Sequence, residues 1–208
     1  MAGRLGIFGG TFDPVHYGHL LLAETCREQV RLDRVLFVPA STPPHKQQHS
    51  LTPGHSRVDM LRLAVGGHER FEVSTMELER GGLSYTVETL EACQRQYPSF
   101  ELFFLMGADS LAEFPTWREP SRICQLAVPV VVRRAGAVEP DWRHLTPFTS
   151  PERLDQIQQA QVTMPVIELS STDIRERVAT GRSIRFRTPR AVEKYIEAQR
   201  LYRSPISR

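Results

Sequence analysis

The sequence predicts an α/β protein, a doubly wound parallel sheet with helices on both faces, and three observations lead there. Short apolar runs alternate with amphipathic stretches along the 208 residues. Repeated β-then-α order implies parallel strands joined by helical crossovers. The run Leu102-Phe103-Phe104-Leu105-Met106 is apolar throughout, as suits a central strand covered on both faces. Finally, Gly9-Gly10 and Gly107-Ala108-Asp109 each follow a predicted strand directly. Ligands of such sheets sit beyond the carboxyl ends of the strands, near a topological switch point, so both turns can face one crevice.

Residues 4–8 read as the first strand and 16–29 as the first helix. Residues 34–39 read as a second strand. A helix over 55–65 places Val58, Leu61 and Val65 at helical spacing, with Thr52-Pro53 at its start. Residues 71–78 read as a strand. Ser84 is the expected N-cap of a helix over 85–97 that turns Val87, Leu90 and Cys93 inward. Beyond the central strand, 127–132 is another, with Pro129 blurring its start. Residues 152–160 predict a helix, 166–169 a short strand, and 171–179 a helix closed by Gly181. A last helix over 189–199 begins with proline in its first turn. The least ordered stretches expected are 41–51, a candidate substrate loop, and 134–151, a surface excursion.

Composition narrows the function classes. Apolar residues make up 40% and charged residues 24%, and 26 Lys plus Arg against 24 Asp plus Glu leave a net charge of +2. That balance argues against a dedicated nucleic-acid binder. The arginines at 175, 177, 182, 185, 187 and 190 have no aromatic ladder among them, and read as a solvated face. No apolar run is long enough to cross a bilayer, and residues 1–4 lead into a strand without a secretory segment. Cys26, Cys93 and Cys124 are sparse and odd in number, which fits a reducing cytoplasm and small buried hydrophobes. No internal repeat breaks the chain, so one domain over 1–208 is expected. The oligomeric state is left open.

The richest segment is Gly9-Gly10-Thr11-Phe12-Asp13-Pro14-Val15-His16-Tyr17-Gly18-His19. A strand ends in glycines, and two histidines three residues apart open a helix. Glycines let backbone N–H groups approach an anion, and the helix N-terminus adds a positive dipole. The histidines can donate to phosphoryl oxygens. Either histidine alone would read as a helix cap or a packed ring; their convergence with Asp13-Pro14 at one junction points to a nucleotide phosphate chain.

A second segment, Leu169-Ser170-Ser171-Thr172-Asp173-Ile174-Arg175, sets hydroxyls before a helix and an arginine in its first turns. Alone it would be an N-cap serine and a solvent arginine. Paired with the first, it reads as the other jaw of a triphosphate clamp.

These two segments resemble the H-x-G-H nucleotidyltransferase superfamily. Pro43-Pro44-His45-Lys46, Gly82-Leu83-Ser84-Tyr85-Thr86, Met106-Gly107-Ala108-Asp109 and Trp117 narrow the resemblance to bacterial nicotinate-nucleotide adenylyltransferases, from Leu5 to about Tyr202. The resemblance implies a Rossmann-like fold and transfer of AMP from ATP to nicotinate mononucleotide, giving deamido-NAD and pyrophosphate in NAD biosynthesis. It places the second phosphate-binding motif in the C-terminal part from about 165.

By that resemblance His16, His19 and Arg175 are the catalytic set, His19 nearer the departing pyrophosphate. Ser171 and Thr172 would join Arg175 on the β- and γ-phosphates, and Gly9, Gly10 and Thr11 would line the ATP pocket floor. Asp109 with Gly107 would meet the ribose or order the hydration shell of Mg²⁺, which is expected through phosphates and water without a protein cage. His45, His49 and His55 read as surface histidines and not as a zinc site. For the mononucleotide, Tyr85 and Thr86 would present backbone N–H groups to the nicotinate carboxylate and Trp117 would stack on the ring. Lys46, and more weakly Arg133, would approach phosphate. A pantetheine-phosphate adenylyltransferase or glycerol-phosphate cytidylyltransferase would share the histidines; the stretches at 43–46 and 84–86 argue against both. A nucleotide sensor without turnover would lack one jaw, and both are present.

Overall fold

A computed structural model describes residues 2–43 and 51–203. Six strands form one wholly parallel sheet in the order β3-β2-β1-β4-β5-β6. They are β1 (Gly3–Gly10), β2 (Arg34–Pro39), β3 (Phe71–Val73), β4 (Phe100–Gly107), β5 (Val128–Arg134) and β6 (Val162–Met164). The order reverses at β1, which pairs Ile7 with Leu36 of β2 on one side and with Phe104 of β4 on the other. That switch point sets Gly9-Gly10 and Gly107 at neighbouring carboxyl ends.

Helices α1 (Tyr17–Gln29), α2 (Gly54–Val65), α3 (Met76–Arg80) and α4 (Thr86–Gln96) come from the first half of the chain; α5 (Pro120–Leu126), α6 (Pro151–Gln159), α7 (Ser171–Ala179) and α8 (Arg190–Ala198) come from the second. The core is the sheet itself, with Leu5, Ile7, Phe37, Leu105 and Val130 almost wholly buried. Cys26, Cys93 and Cys124 are free and buried, and burial pushes their thiols up to about 12, about 12 and about 11. None of the described helices is long and apolar enough to cross a membrane.

Three sequence expectations need correction. The strand over 71–78 ends at Val73, and Met76–Arg80 is helix. Met-Glu-Leu-Glu-Arg is made of strong helix formers, and Ser74 Oγ accepts the Met76 N–H where the chain turns. The strand over 166–169 is absent; the strand is Val162–Met164 and Pro165, without an N–H, follows it. The chain then runs beside the site, with Val166 61% exposed. Ser84 is not the cap of α4. That position is Tyr85, while Ser84 Oγ accepts the Ser41 N–H at 2.8 Å, joining the end of β2 to the start of α4.

Pro129 sits inside β5 because β6 reaches only Val132–Arg134, leaving β5 an edge below. The excursion over 134–151 holds two short 3₁₀ turns around buried Leu145, and Ser150 caps α6 by accepting the Arg153 N–H.

Candidate active site

At the end of β1 a Cβ on Gly9 would meet nothing within 4 Å, so the backbone there faces open space. The chain then turns at Phe12, whose φ of 49° is left-handed. Its ring is buried and stands edge-on to Phe8 at 5.3 Å and to His19 at 5.1 Å. Phe12 is thus the wedge that supports the second histidine.

His16 is the N-cap residue of α1. Its N–H donates to His19 Nδ1 at 3.2 Å, which leaves the His19 proton on Nε2. The two rings stack at 3.7 Å. His16 is buried, its Nδ1 has no hydrogen-bond partner, and burial pushes its pKa down to about 4. It is therefore neutral near pH 7 and holds one N–H donor. An arriving phosphate would supply negative charge that favours protonation of the ring.

Gly18 is the residue this stacking requires. A Cβ there would lie 3.0 Å from Cε1 and Nδ1 of the His16 ring. The ring cannot retreat without pressing on His19. Gly18→Ala is expected to lower kcat about tenfold, since a misplacement of about 1 Å can cost up to ~10²-fold. Stability should hold, because alanine gains ~1 kcal/mol of helix propensity. Steady-state rates beside thermal melts check this; unchanged kcat would show that the ring tolerates displacement.

The second segment reaches the same loop. Arg175 Nη1 donates to the Asp13 carbonyl at 2.8 Å, Ser171 Oγ to that of Pro14 at 2.9 Å, and Thr188 Oγ1 to that of Val15 at 2.7 Å. Three consecutive carbonyls are thus held from residues more than 150 positions away. Ser170 caps α7 through the Asp173 N–H, and Arg175 Nη2 also donates to Thr172 Oγ1 at 3.2 Å. Two of the five guanidinium N–H groups are engaged in these bonds.

Two cavities open at the strand ends. The first, about 210 Å³, is lined by His16, His19, Gly107, Asp109 and Arg133, with apolar walls from Leu22, Met164 and Leu169. The second, about 150 Å³, is lined by Gly9, Gly10, Thr86, Glu77 and Trp117. Trp117 is braced edge-on by Phe104 at 5.8 Å and by the tilted ring of Phe114 at 5.4 Å. Tyr85 offers no side-chain cap to the first amides of α4, and its own ring carries the Arg118 guanidinium at 4.7 Å.

The expected residues divide between the two cavities and the loop beside them. Gly9 and Gly10, expected on the ATP side, line the second cavity with Trp117. Thr11 lines neither; its carbonyl accepts Arg57 Nη1 at 2.9 Å. Arg133, expected near the mononucleotide, lines the first cavity and pairs with Glu139 at 3.0 Å. Ser171 and Arg175 join the histidine loop through its carbonyls, Thr172 accepts from Arg175, and none of the three lines the first cavity. Lys46 lies outside the described residues. Among the described residues no three His, Cys, Asp or Glu side chains gather as a metal cage.

Of three buried polar residues of the site, Asp13 was read from sequence only as part of the first motif, and Arg57 and Glu77 were not singled out. Asp13 is 3% exposed, Arg57 2% and Glu77 5%. Glu77 accepts from the Thr89 hydroxyl through one oxygen, and its other oxygen is buried without a partner. For Arg57 a signal existed, since it lies one helical turn before Leu61. Glu77 fell inside a supposed strand and gave none.

Comparison with known proteins accords with this geometry. The cytidylyltransferase-like family model matches residues 7–180. A probable nicotinate-nucleotide adenylyltransferase of Thermomicrobium roseum is 46% identical over 201 residues, covering 97% of this chain and 92% of that one. A probable nicotinate-nucleotide adenylyltransferase of Thermus thermophilus is 44% identical over 200 residues, covering 96% and 100%. Among solved structures, the Plasmodium falciparum nicotinic acid mononucleotide adenylyltransferase complexed with NaAD shares the fold, with a TM-score of 0.72, 16% identity and coverage of 96% and 97%. With relatives this similar along almost their whole length, the chain belongs to the nicotinate-nucleotide adenylyltransferases of the cytidylyltransferase-like superfamily.

Proposed function

We propose that the protein transfers the adenylyl group of ATP to the phosphate of nicotinate mononucleotide, releasing pyrophosphate and forming deamido-NAD. The observation that carries this reading is the pair of cavities at one sheet edge. One is built from α1 and the ends of β4, β5 and β6, the other from the ends of β1 and β2 and the start of α4. A phosphate oxygen of the mononucleotide forms a bond to the α-phosphorus as the α–β bridging bond breaks. Such transfers need alignment and charge stabilisation and no protein nucleophile.

In this reading His16 and His19 donate to the ATP phosphates as charge moves onto the leaving group. Arg175, Ser171 and Thr172 hold the β- and γ-phosphates. Asp109 and Gly107 meet the ribose or the hydration shell of Mg²⁺, which supplies charge neutralisation when bound. Asp109 lies in the histidine cavity, which fits a metal carried by phosphates and water. Arg133 shares that cavity and is assigned here to the ATP side. Trp117 stacks on the pyridine ring, and Lys46 approaches phosphate. The chain acts as one cytoplasmic nucleotidyltransferase domain.

The uncapped start of α4 also sets the preference between the acid and the amide. Its free amides and dipole favour a carboxylate, which acts as the missing cap. Nicotinate mononucleotide should exceed the nicotinamide form in kcat/KM about tenfold or more, since a hydrogen bond to a charged group is worth ~1.5–3 kcal/mol. Pyrophosphate release with ATP, Mg²⁺ and each mononucleotide checks it. Equal efficiencies would remove this basis for selectivity, and no release with either would overturn the function.

A further inference from the structure

We propose that Asp13 is a positioning residue for adenylyl transfer and that Tyr202 is the latch that fixes it. This rests on the function just stated. Asp13 is 3% exposed and lies at the turn that leads into His16. Both its carboxylate oxygens are engaged from distant segments. The Tyr202 hydroxyl donates to Oδ1 at 2.6 Å, and the Thr52 N–H donates to Oδ2 at 3.1 Å. Its carbonyl takes the Arg175 guanidinium. One residue thus ties the end of the last helical segment, the approach to α2, and α7 to the loop that presents both histidines.

The backbone is constrained at both ends of the latch. Phe12, beside Asp13, has φ of 49°, and Tyr202 has φ of 61°. Non-glycine residues persist in that region only where their surroundings over-determine them. Next to Phe12, the wedge under His19, a freed Asp13 side chain would let the turn relax. The effect should therefore fall on the placement of the rings, not on the affinity of either cavity.

Tyr202→Phe removes only the hydroxyl. In steady-state pyrophosphate release it is expected to lower kcat about tenfold, with both KM values nearly unchanged, as a displacement well under 1 Å would. Tyr195→Phe is the matched control: its hydroxyl bonds Asp59 Oδ2 at 3.0 Å on α2 and touches nothing in the loop. It should leave kcat unchanged. Adding Tyr202→Phe to Asp13→Ala should cost little more in kcat than Asp13→Ala alone, because the hydroxyl then has no carboxylate left to hold. Histidine ring resonances of the ligand-free protein should shift in Tyr202→Phe and stay put in Tyr195→Phe.

Unchanged ring resonances and an unchanged kcat in Tyr202→Phe would overturn the latch. So would additive losses in the double variant. The resonances need no turnover, so a wild-type protein inactive on nicotinate mononucleotide would refute the function while the latch was still judged.

Discussion

His19→Ala is expected to lose about 10²–10³ in kcat while nicotinate mononucleotide binds with little change. Losing one preorganised donor to the transition state typically costs that much. The structure supplies the preorganisation. His19 Nδ1 is taken by the His16 N–H, so its proton sits on Nε2. Its ring is stacked on His16 and braced by Phe12, which leaves little rotational freedom to lose on reaching the transition state. In the proposed reading the mononucleotide occupies the second cavity, which is lined by Trp117 and the start of α4 and not by His19. Pyrophosphate release and a calorimetric titration with mononucleotide separate the two effects. Circular dichroism confirms that α1 survives loss of the ring that accepts its N-cap amide. Near-normal turnover in the folded variant would remove His19 from the reaction.

Much of the fold was legible because parallel strands announce themselves. Buried on both faces, β1, β2, β4 and β5 read as short apolar runs. The short edge strands were not legible in the same way. β3 and β6 have three residues each, too few for a pattern, and local chemistry decided what followed them. After β3, helix-forming residues ended the strand; after β6, Pro165 did.

The site divided along the same line. Residues of a local motif fall at helix starts: His16 is the N-cap of α1, Ser170 caps α7, and Thr86 opens α4. Which cavity a residue faces is a property of the twisted sheet, and no local pattern reports it. Arg133, expected with the mononucleotide, lines the cavity that holds Asp109, and Gly9 and Gly10, expected at the ATP floor, line the cavity that holds Trp117. Buried ionic residues were missed for a related reason. A sequence records a charge but not the carbonyls gathered around it.

Arg57→Met should be the most destabilising single change at this site, costing on the order of 3–5 kcal/mol, as breaking a buried charged network does. Arg57 is 2% exposed. Its Nη1 donates to the carbonyls of Thr11 at 2.9 Å and Ala40 at 2.8 Å, and its Nε donates to that of Thr52 at 2.9 Å. Burial pulls its pKa down, while the carboxylates of Asp13 and Glu77 hold it up. Methionine would fill much of the volume but leave three acceptors short of a donor and remove one of the two guanidinium groups near Asp13. Each unsatisfied buried group costs ~1–3 kcal/mol. Arg57→Lys should recover only part, because one ammonium cannot reproduce a planar fork reaching three carbonyls. Urea denaturation at fixed pH gives the difference from the midpoint if the slope is unchanged. A loss below ~1 kcal/mol for methionine would mean that these carbonyls find water instead. Thr11 and Ala40 follow the ends of β1 and β2, so the guanidinium spans adjacent strand termini at the mouth of the site. The same bonds that hold the sheet edge closed hold the histidine loop over it, and a variant that loses one is expected to lose the other.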